Sequence, residues 1–187
     1  MQRGSGLMLP EWSDKFSVHN EIIDEQHQRL FELAHRAYKV ANRHTDREQI
    51  RGIIAEFFDY MKTHFRDEEQ YMHAIGYSRL EEHKKIHRAI VADMASMVKN
   101  VRSTNEIKDQ ILIIAKDWLL THILQEDMQI ERFRKAHTKS TDKIYTYICA
   151  CPSREHKLTE SMHIFIKSSA RKVLCKECQQ PIVPKDT

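Results

Sequence analysis

Apolar residues recur along this chain, as far as about residue 133, at spacings of three and four, the period of helices packed on one side. Four such stripes are separated by short polar breaks. The first, over residues 20–42, aligns Ile23, Leu30, Phe31, Ala34 and Tyr38. The second opens on Thr45 and Asp46 as an N-cap with Glu48 near the box position, aligns Ile50, Ile53, Phe57 and Met61, and stops at Gly76. The third, capped by Ser78, carries Ile90 and Met94, and the fourth, over residues 106–133, carries Ile111, Ile114, Trp118 and Leu119. Short connections make successive helices antiparallel neighbours, so the pattern predicts an all-α, up-down antiparallel four-helix bundle. Past residue 140 the helical period stops. There "KIYTYICAC" and "MHIFIK" alternate or cluster β-branched and aromatic residues, and "RKVLCKECQQPIVP" reads as a strand followed by a knuckle. Two domains are therefore expected, 11–135 and 140–187.

The inward stripes also hold residues that an apolar core would reject: His27 on the first helix, His64 and Glu68 on the second, His83 and His87 on the third, His122 and Asp127 on the fourth. Burying so many polar groups costs several kcal/mol each unless every one finds a partner. Bound cations remove that cost. The pairs His64/Glu68 and His83/His87 are spaced i,i+4, a turn of only ~40° around an α-helix, so each pair aims at one point. His122 and Asp127 are spaced i,i+5, a rotation of ~140°, and share a centre only if the helix is distorted between them. A π-bulge or an unwound turn is the expected distortion. Two iron ions bridged by Glu68 and Asp127 and held by five imidazoles form a mixed nitrogen and oxygen environment that suits iron. With a bridging oxygen, these groups fill eleven of the twelve positions of two octahedra, leaving one open on the iron with fewer histidines. A ferritin-like carboxylate centre competes poorly, because within the bundle only Glu32/His35 has the Glu-x-x-His spacing. His19, His35, His44, His73, His137, His156 and His163 are read as ordinary surface or core residues.

Composition adds a boundary. Only 4 Gly and 4 Pro interrupt 187 residues, as long helices require. All four cysteines, Cys149, Cys151, Cys175 and Cys178, lie near the C-terminal end, unlike a disulfide framework spread through a core. Charge divides at about the same place, −4 over residues 1–131 and +7 over 132–187. The Cys-x-Cys and Cys-x-x-Cys pairs, flanked by strand-like runs, fit a small β-rich zinc-ribbon-like module with one zinc on four thiolates. A redox-active dithiol and a Cys3His site using His156 or His163 are the alternatives. At this density the basic charge of the module is read first as solvated surface; a protein partner is the next reading, and nucleic acid is not expected. No apolar run reaches the ~20 residues that span a bilayer, so no membrane association and a cytoplasmic setting are expected.

The segments "IIDEQH", "THFRDEE", "HKKIH" and "WLLTHILQED" resemble, in order, the motifs of hemerythrins, most closely the bacterial ones, over about residues 11–133. The resemblance implies a non-haem di-iron centre that binds O2 reversibly, with His83, His87 and His122 on one iron, His27 and His64 on the other, and Glu68 and Asp127 bridging. It further implies an apolar O2 pocket, for which Trp118, Ile23, Leu30, Phe31 and Leu119 are the candidate walls. The implied function is oxygen storage, delivery or sensing rather than catalysis. Two alternatives stand beside it: a signalling or adaptor protein that senses O2, NO or iron and uses the zinc-ribbon-like tail as output, and a peroxide or NO reductase. His19, where a small residue is expected in relatives, is the one departure noted.

Overall fold

The computed structural model describes residues 9, 11–41, 47–100, 106, 109–110, 113–114, 119–137, 143–168, 172–175 and 177–185. Thr45, Asp46, His44, Ile111 and Trp118 lie outside the described residues. After a 3-10 turn at Asp14–Phe16, helix α1 spans Glu21–Ala41, α2 Arg47–Ala74 and α3 Leu80–Asn100. On the fourth helix, a π-helical stretch at His122–Asp127 runs directly into α4, Met128–His137.

Local chemistry fixes where these helices begin and end. Asn20 caps α1, its Oδ1 accepting the N–H groups of Ile22 at 3.1 Å and Ile23 at 3.2 Å. Asp24 reaches back to the N–H of Val18 at 2.8 Å and the hydroxyl of Ser17 at 2.7 Å, which ties the incoming chain to the first turn. Between them His19 sits in the left-handed region, at φ 54°. Helix α2 stops at Gly76, whose φ of +66° suits a residue without Cβ. Gly76 N–H donates to His73 O at 3.1 Å and Tyr77 N–H to Met72 O at 2.9 Å, the paired bonds of a Schellman ending.

The bundle core is layered along the helix axes. One apolar cluster joins Leu30, Phe31, Phe57, Met61, Ile90, Met94 and Leu119; another joins Val18, Ile23, Tyr71, Met72, Tyr77 and Ile130. On α1, His27 lies between Ile23 of one cluster and Leu30 of the other, and on α2, His64 and Glu68 lie between Met61 and Tyr71. Each fully buried aliphatic or aromatic side chain stabilises these layers by about 1.5–3 kcal/mol. The polar residues are thus held at a fixed level between two dry slabs.

Beyond the bundle, strands β1 (Ile144–Ile148), β2 (Glu155–Thr159) and β3 (Val183–Pro184) form an antiparallel sheet in the order β2-β1-β3. The segment "MHIFIK", expected as strand-like, is instead part of helix α5, Glu160–Ser168. Thr159 marks its start, the hydroxyl accepting Met162 N–H at 3.5 Å. Packing decides the outcome against β-propensity: the helix buries Phe165 in the Tyr71 cluster, with the two rings perpendicular and centroids 6.0 Å apart, and leaves Ile164 exposed. The run before the last cysteine pair forms a single bridge, Leu174 to Pro181, rather than a strand. Between these two residues the chain makes a knuckle, with Cys175 N–H donating to Gln180 O at 2.8 Å and Gln179 N–H to Cys175 O at 2.9 Å.

Candidate metal centres

All seven polar residues that interrupt the helical stripes are buried, none more than 6% exposed. Their ligand-type atoms form two quartets: Glu68, His83, His87 and His122, and His27, His64, Glu68 and Asp127, each with its atoms within 4.8 Å of one another. Glu68 belongs to both. Asp127 divides its oxygens, Oδ1 lying 3.0 Å from His122 Nε2 and 3.4 Å from His83 Nε2, while Oδ2 lies 3.3 Å from His27 Nε2. Glu68 Oε2 lies 3.3 Å from His83 Nε2 and 3.2 Å from His87 Nε2. The π-helical stretch is what makes this possible. Met128 N–H donates to Ile123 O, a five-residue step, and the widened turn brings Asp127 back to the side of His122, as the i,i+5 spacing requires.

The charges in this layer do not balance by hydrogen bonding alone. Both nitrogens of His27 and His83 and both oxygens of Glu68 and Asp127 are buried with no well-aligned hydrogen bond. Burial and the neighbouring Asp127 oppose ionisation of Glu68, yet His83 and His87 outweigh them and hold its carboxyl below the usual range. Burial likewise opposes ionisation of Asp127, and His122, His27 and His83 together draw it well down. Burial lowers His83, but Asp127 and Glu68 overcome that and push it up to about 10. His64 goes the other way, down to about 3, because burial and the adjacent His27 disfavour its cation. Two enclosed carboxylates draw His83 toward its cationic form, and a layer with so much buried negative charge calls for positive charge at its centre. A pair of divalent or trivalent metal ions fits the donor set, and imidazole with carboxylate oxygen is the set that suits iron.

Residues behind the quartets, which the stripe pattern did not single out, orient the imidazoles. His64 Nδ1 lies 3.1 Å from Gln26 Oε1, an oxygen that only accepts, so the proton sits on Nδ1 and Nε2 keeps its lone pair. Gln26 in turn donates to Asp67 Oδ2 at 2.7 Å, and Arg66 holds Asp67 Oδ1 at 2.9 Å. His87 Nδ1 donates to Glu69 Oε1 at 2.9 Å, which points its Nε2 at Glu68 and at His122 Nε2, 3.1 Å away. Phe65 stacks on His87 with centroids 3.8 Å apart and meets His122 edge-on. The only sequence signal for these groups was their adjacency to ligands: Gln26 precedes His27, and Phe65, Asp67 and Glu69 flank His64 and Glu68.

Of the residues expected to wall an O2 pocket, Leu30 and Leu119 line a small cavity with Phe57, Met61, Phe65 and Ile90 that also touches His64 and His122. Its volume is about 10 Å³. Ile23 and Phe31 are buried but are not among the residues lining it; Ile23 belongs to the other apolar layer.

The four cysteines gather at a second place. Their sulfurs all lie within 4.8 Å of one another, and all are free thiols. The backbone N–H groups of Cys178 and Glu177 stabilise the Cys175 thiolate and draw its pKa down to about 6. Hydrogen bonding to Cys178, together with burial, pushes the Cys151 thiol up to about 12. His156 Nε2 lies 3.3 Å from Cys149 Sγ, close enough to donate to that sulfur. A cleft of about 290 Å³ lies between α1 and this segment, and its walls include both Gln26 and Cys175.

Known proteins resemble the chain over the bundle. The profile of the hemerythrin HHE cation-binding domain matches residues 18–133. A bacteriohemerythrin from Campylobacter jejuni is 27% identical over 125 residues, 64% of this chain and 94% of that protein. One from Stenotrophomonas maltophilia is 29% identical over 131 residues, covering 70% and 85%, and one from Clostridium acetobutylicum is 30% identical over 125 residues, covering 63% and 95%. A crystal structure of a hemerythrin mutant superposes with a TM-score of 0.60 at 24% identity, over 66% of this chain and 95% of that one, which bears on the fold alone. The cysteine-bearing segment lies outside the residues that the family profile matches. With the ordered motifs, the layered bundle and the profile in agreement, the chain belongs to the hemerythrin HHE cation-binding domain family.

Proposed function

We propose that this chain binds O2 reversibly at a non-haem di-iron centre, as a storage, delivery or sensing protein of the cytoplasm rather than an enzyme. The observation that carries the reading is the pair of overlapping buried quartets, with Glu68 common to both and the oxygens of Asp127 turned to opposite sides. His83, His87 and His122 would hold one iron, His27 and His64 the other, and Glu68 and Asp127 would join them. When bound, such a centre supplies the electrons and the open coordination position that O2 requires. The chain supplies the rest. Gln26 and Glu69 keep two of the imidazoles in the ligand tautomer, and the carboxylates balance the metal charge. Leu30, Met61, Ile90 and Leu119 keep the space beside His64 apolar and too small for more than one small molecule. No helix among the described residues is long and apolar enough to cross a membrane.

The four thiolates are read as a zinc site that holds the C-terminal segment together, a segment with too little apolar area of its own to fold unaided. Its contact with the bundle through Phe165 favours a second reading, in which the state of the irons is passed to the tail as a signal. Metal analysis and optical titration test the whole scheme: about two iron and one zinc per chain are expected, with a visible absorption band that rises in air and fades under argon. A band insensitive to oxygen in iron-loaded protein would refute O2 binding. Zinc-free protein with an intact tail would refute the zinc reading.

A further inference from the structure

The sheet of the C-terminal segment has an outer face that breaks the usual alternation. Residues paired across an antiparallel sheet project to the same side, so Tyr145 and Tyr147 on β1 share one face with Leu158 and His156 on β2. That is the inner face: Tyr147 is fully buried, and α5 covers it, with His163 stacked on Tyr145 at 3.7 Å and bonded to the Tyr147 hydroxyl at 3.1 Å. The opposite face should then be polar. Instead it carries Ile144 at 59% exposed, Ile148 at 36% and Val183 at 49%, with Val183 directly across from Ile148. Of the seven exposed large hydrophobic residues among the described residues, five are in this short segment and only Ile113 and Leu124 are in the bundle. Three of the five, Ile144, Ile148 and Val183, lie together on this one side of the sheet, which chance scatter of surface aliphatics does not favour.

The charge around the patch selects the partner. Lys157 contacts Glu155 at 3.0 Å and Lys185 also pairs with it, so two lysines stand against the one acid on this face. The surplus is positive, as it is over the whole segment. Two copies meeting through this face would oppose lysine to lysine. We propose that the outer face of the β2-β1-β3 sheet docks an acidic amphipathic helix of a partner protein, its aliphatic side on Ile144, Ile148 and Val183 and its carboxylates toward Lys157 and Lys185. A helix laid across a sheet is the ordinary way to cover such a face. Ile144 and Ile148 stand roughly 13 Å apart along β1, from the strand rise of about 3.4 Å per residue, and so offer anchors to between two and three turns of that helix. The inference requires the sheet to be folded, which the zinc reading supports, and is independent of O2 binding.

The test uses the full metal-loaded chain and two fluorescent synthetic helices of the same apolar pattern, one with a glutamate-rich polar face and one with a lysine-rich face. The acidic helix is expected to bind, with Ile148→Asp and the double change Lys157→Glu with Lys185→Glu each weakening it about tenfold or more, and the basic helix not to bind. Retained zinc and an unchanged oxygen response in the variants show that the surface alone was altered. Absence of binding by the acidic helix, or binding indifferent to Ile148→Asp, overturns the proposal. So does tighter, Ile148-dependent binding to anionic phospholipid vesicles or to a single-stranded oligonucleotide, or dimerisation through Ile148, each of which assigns the face to another occupant.

Discussion

Gln26 shows how much of a metal site resides in residues that touch no metal. Its carbonyl accepts the His64 Nδ1–H and its amide nitrogen donates to Asp67, so His64 is held in one tautomer and one orientation. Replacing such an outer partner typically costs 10–100-fold in metal affinity. Gln26→Leu is accordingly expected to lose iron to a competing chelator about that much more readily while keeping its helical circular dichroism. The residues of the two quartets were legible in the sequence because histidine and carboxylate are conspicuous on an apolar stripe. Gln26, Asp67 and Glu69 were not, because polar residues beside such a stripe are what any amphipathic helix displays. His19, flagged only as a departure, has a structural partner: Nδ1 lies 3.2 Å from the carboxylate of Glu131, which is 1% exposed and also held by Arg134 at 2.7 Å and Lys135 at 3.2 Å. Burial opposes ionisation of Glu131, but Arg134 and Lys135 outweigh it and its pKa falls below the usual 4.5. A depressed carboxylate contributes stability that is full above its unfolded pKa and is lost as pH falls through the folded one. Glu131→Gln should therefore cost about 1–3 kcal/mol at neutral pH, and the gap should narrow as urea titrations are taken from about pH 5 downward.

At the scale of elements, two local devices set the level of the polar layer. The π-helical stretch absorbs the odd spacing of His122 and Asp127, and a five-residue step on an otherwise periodic helix was enough to anticipate it from the sequence. The Schellman ending at Gly76 fixes where α2 turns toward α3, and hence how His64 and Glu68 face His83 and His87. Gly76→Ala places a Cβ on a left-handed residue with open space around it, so the penalty is conformational and should be about 1 kcal/mol, read as a lower denaturant midpoint with an unchanged slope. Helix α5 is the element that the sequence misled. Its alternating Ile164 and Ile166 satisfy a strand pattern as well as a helical one, and only the contact of Phe165 with α2, remote in sequence, separates the two.

For the whole molecule, bundle and tail differ in composition yet share part of one apolar core. Phe165 of the tail is buried at 1% among Val18, Ile23, Tyr71 and Ile130, so one apolar layer of the bundle is completed from outside it. Phe165→Ala should cost about 3–5 kcal/mol and should expose α5 to protease before the bundle unfolds; equal protease resistance with the bundle intact would show that the tail is held by other means. This continuity was invisible in the sequence because a single aromatic residue in a short segment carries no mark of which core it enters.

The cleft that includes both Gln26 and Cys175 in its walls has a consequence of its own. The apolar pocket beside His64 and His122 and the cleft bordered by Gln26 share no lining residue, so on the di-iron reading a gas and a polar solute would have separate places to sit. On that reading, a solute in the cleft would reach His64 only through Gln26 and would not compete for the metal.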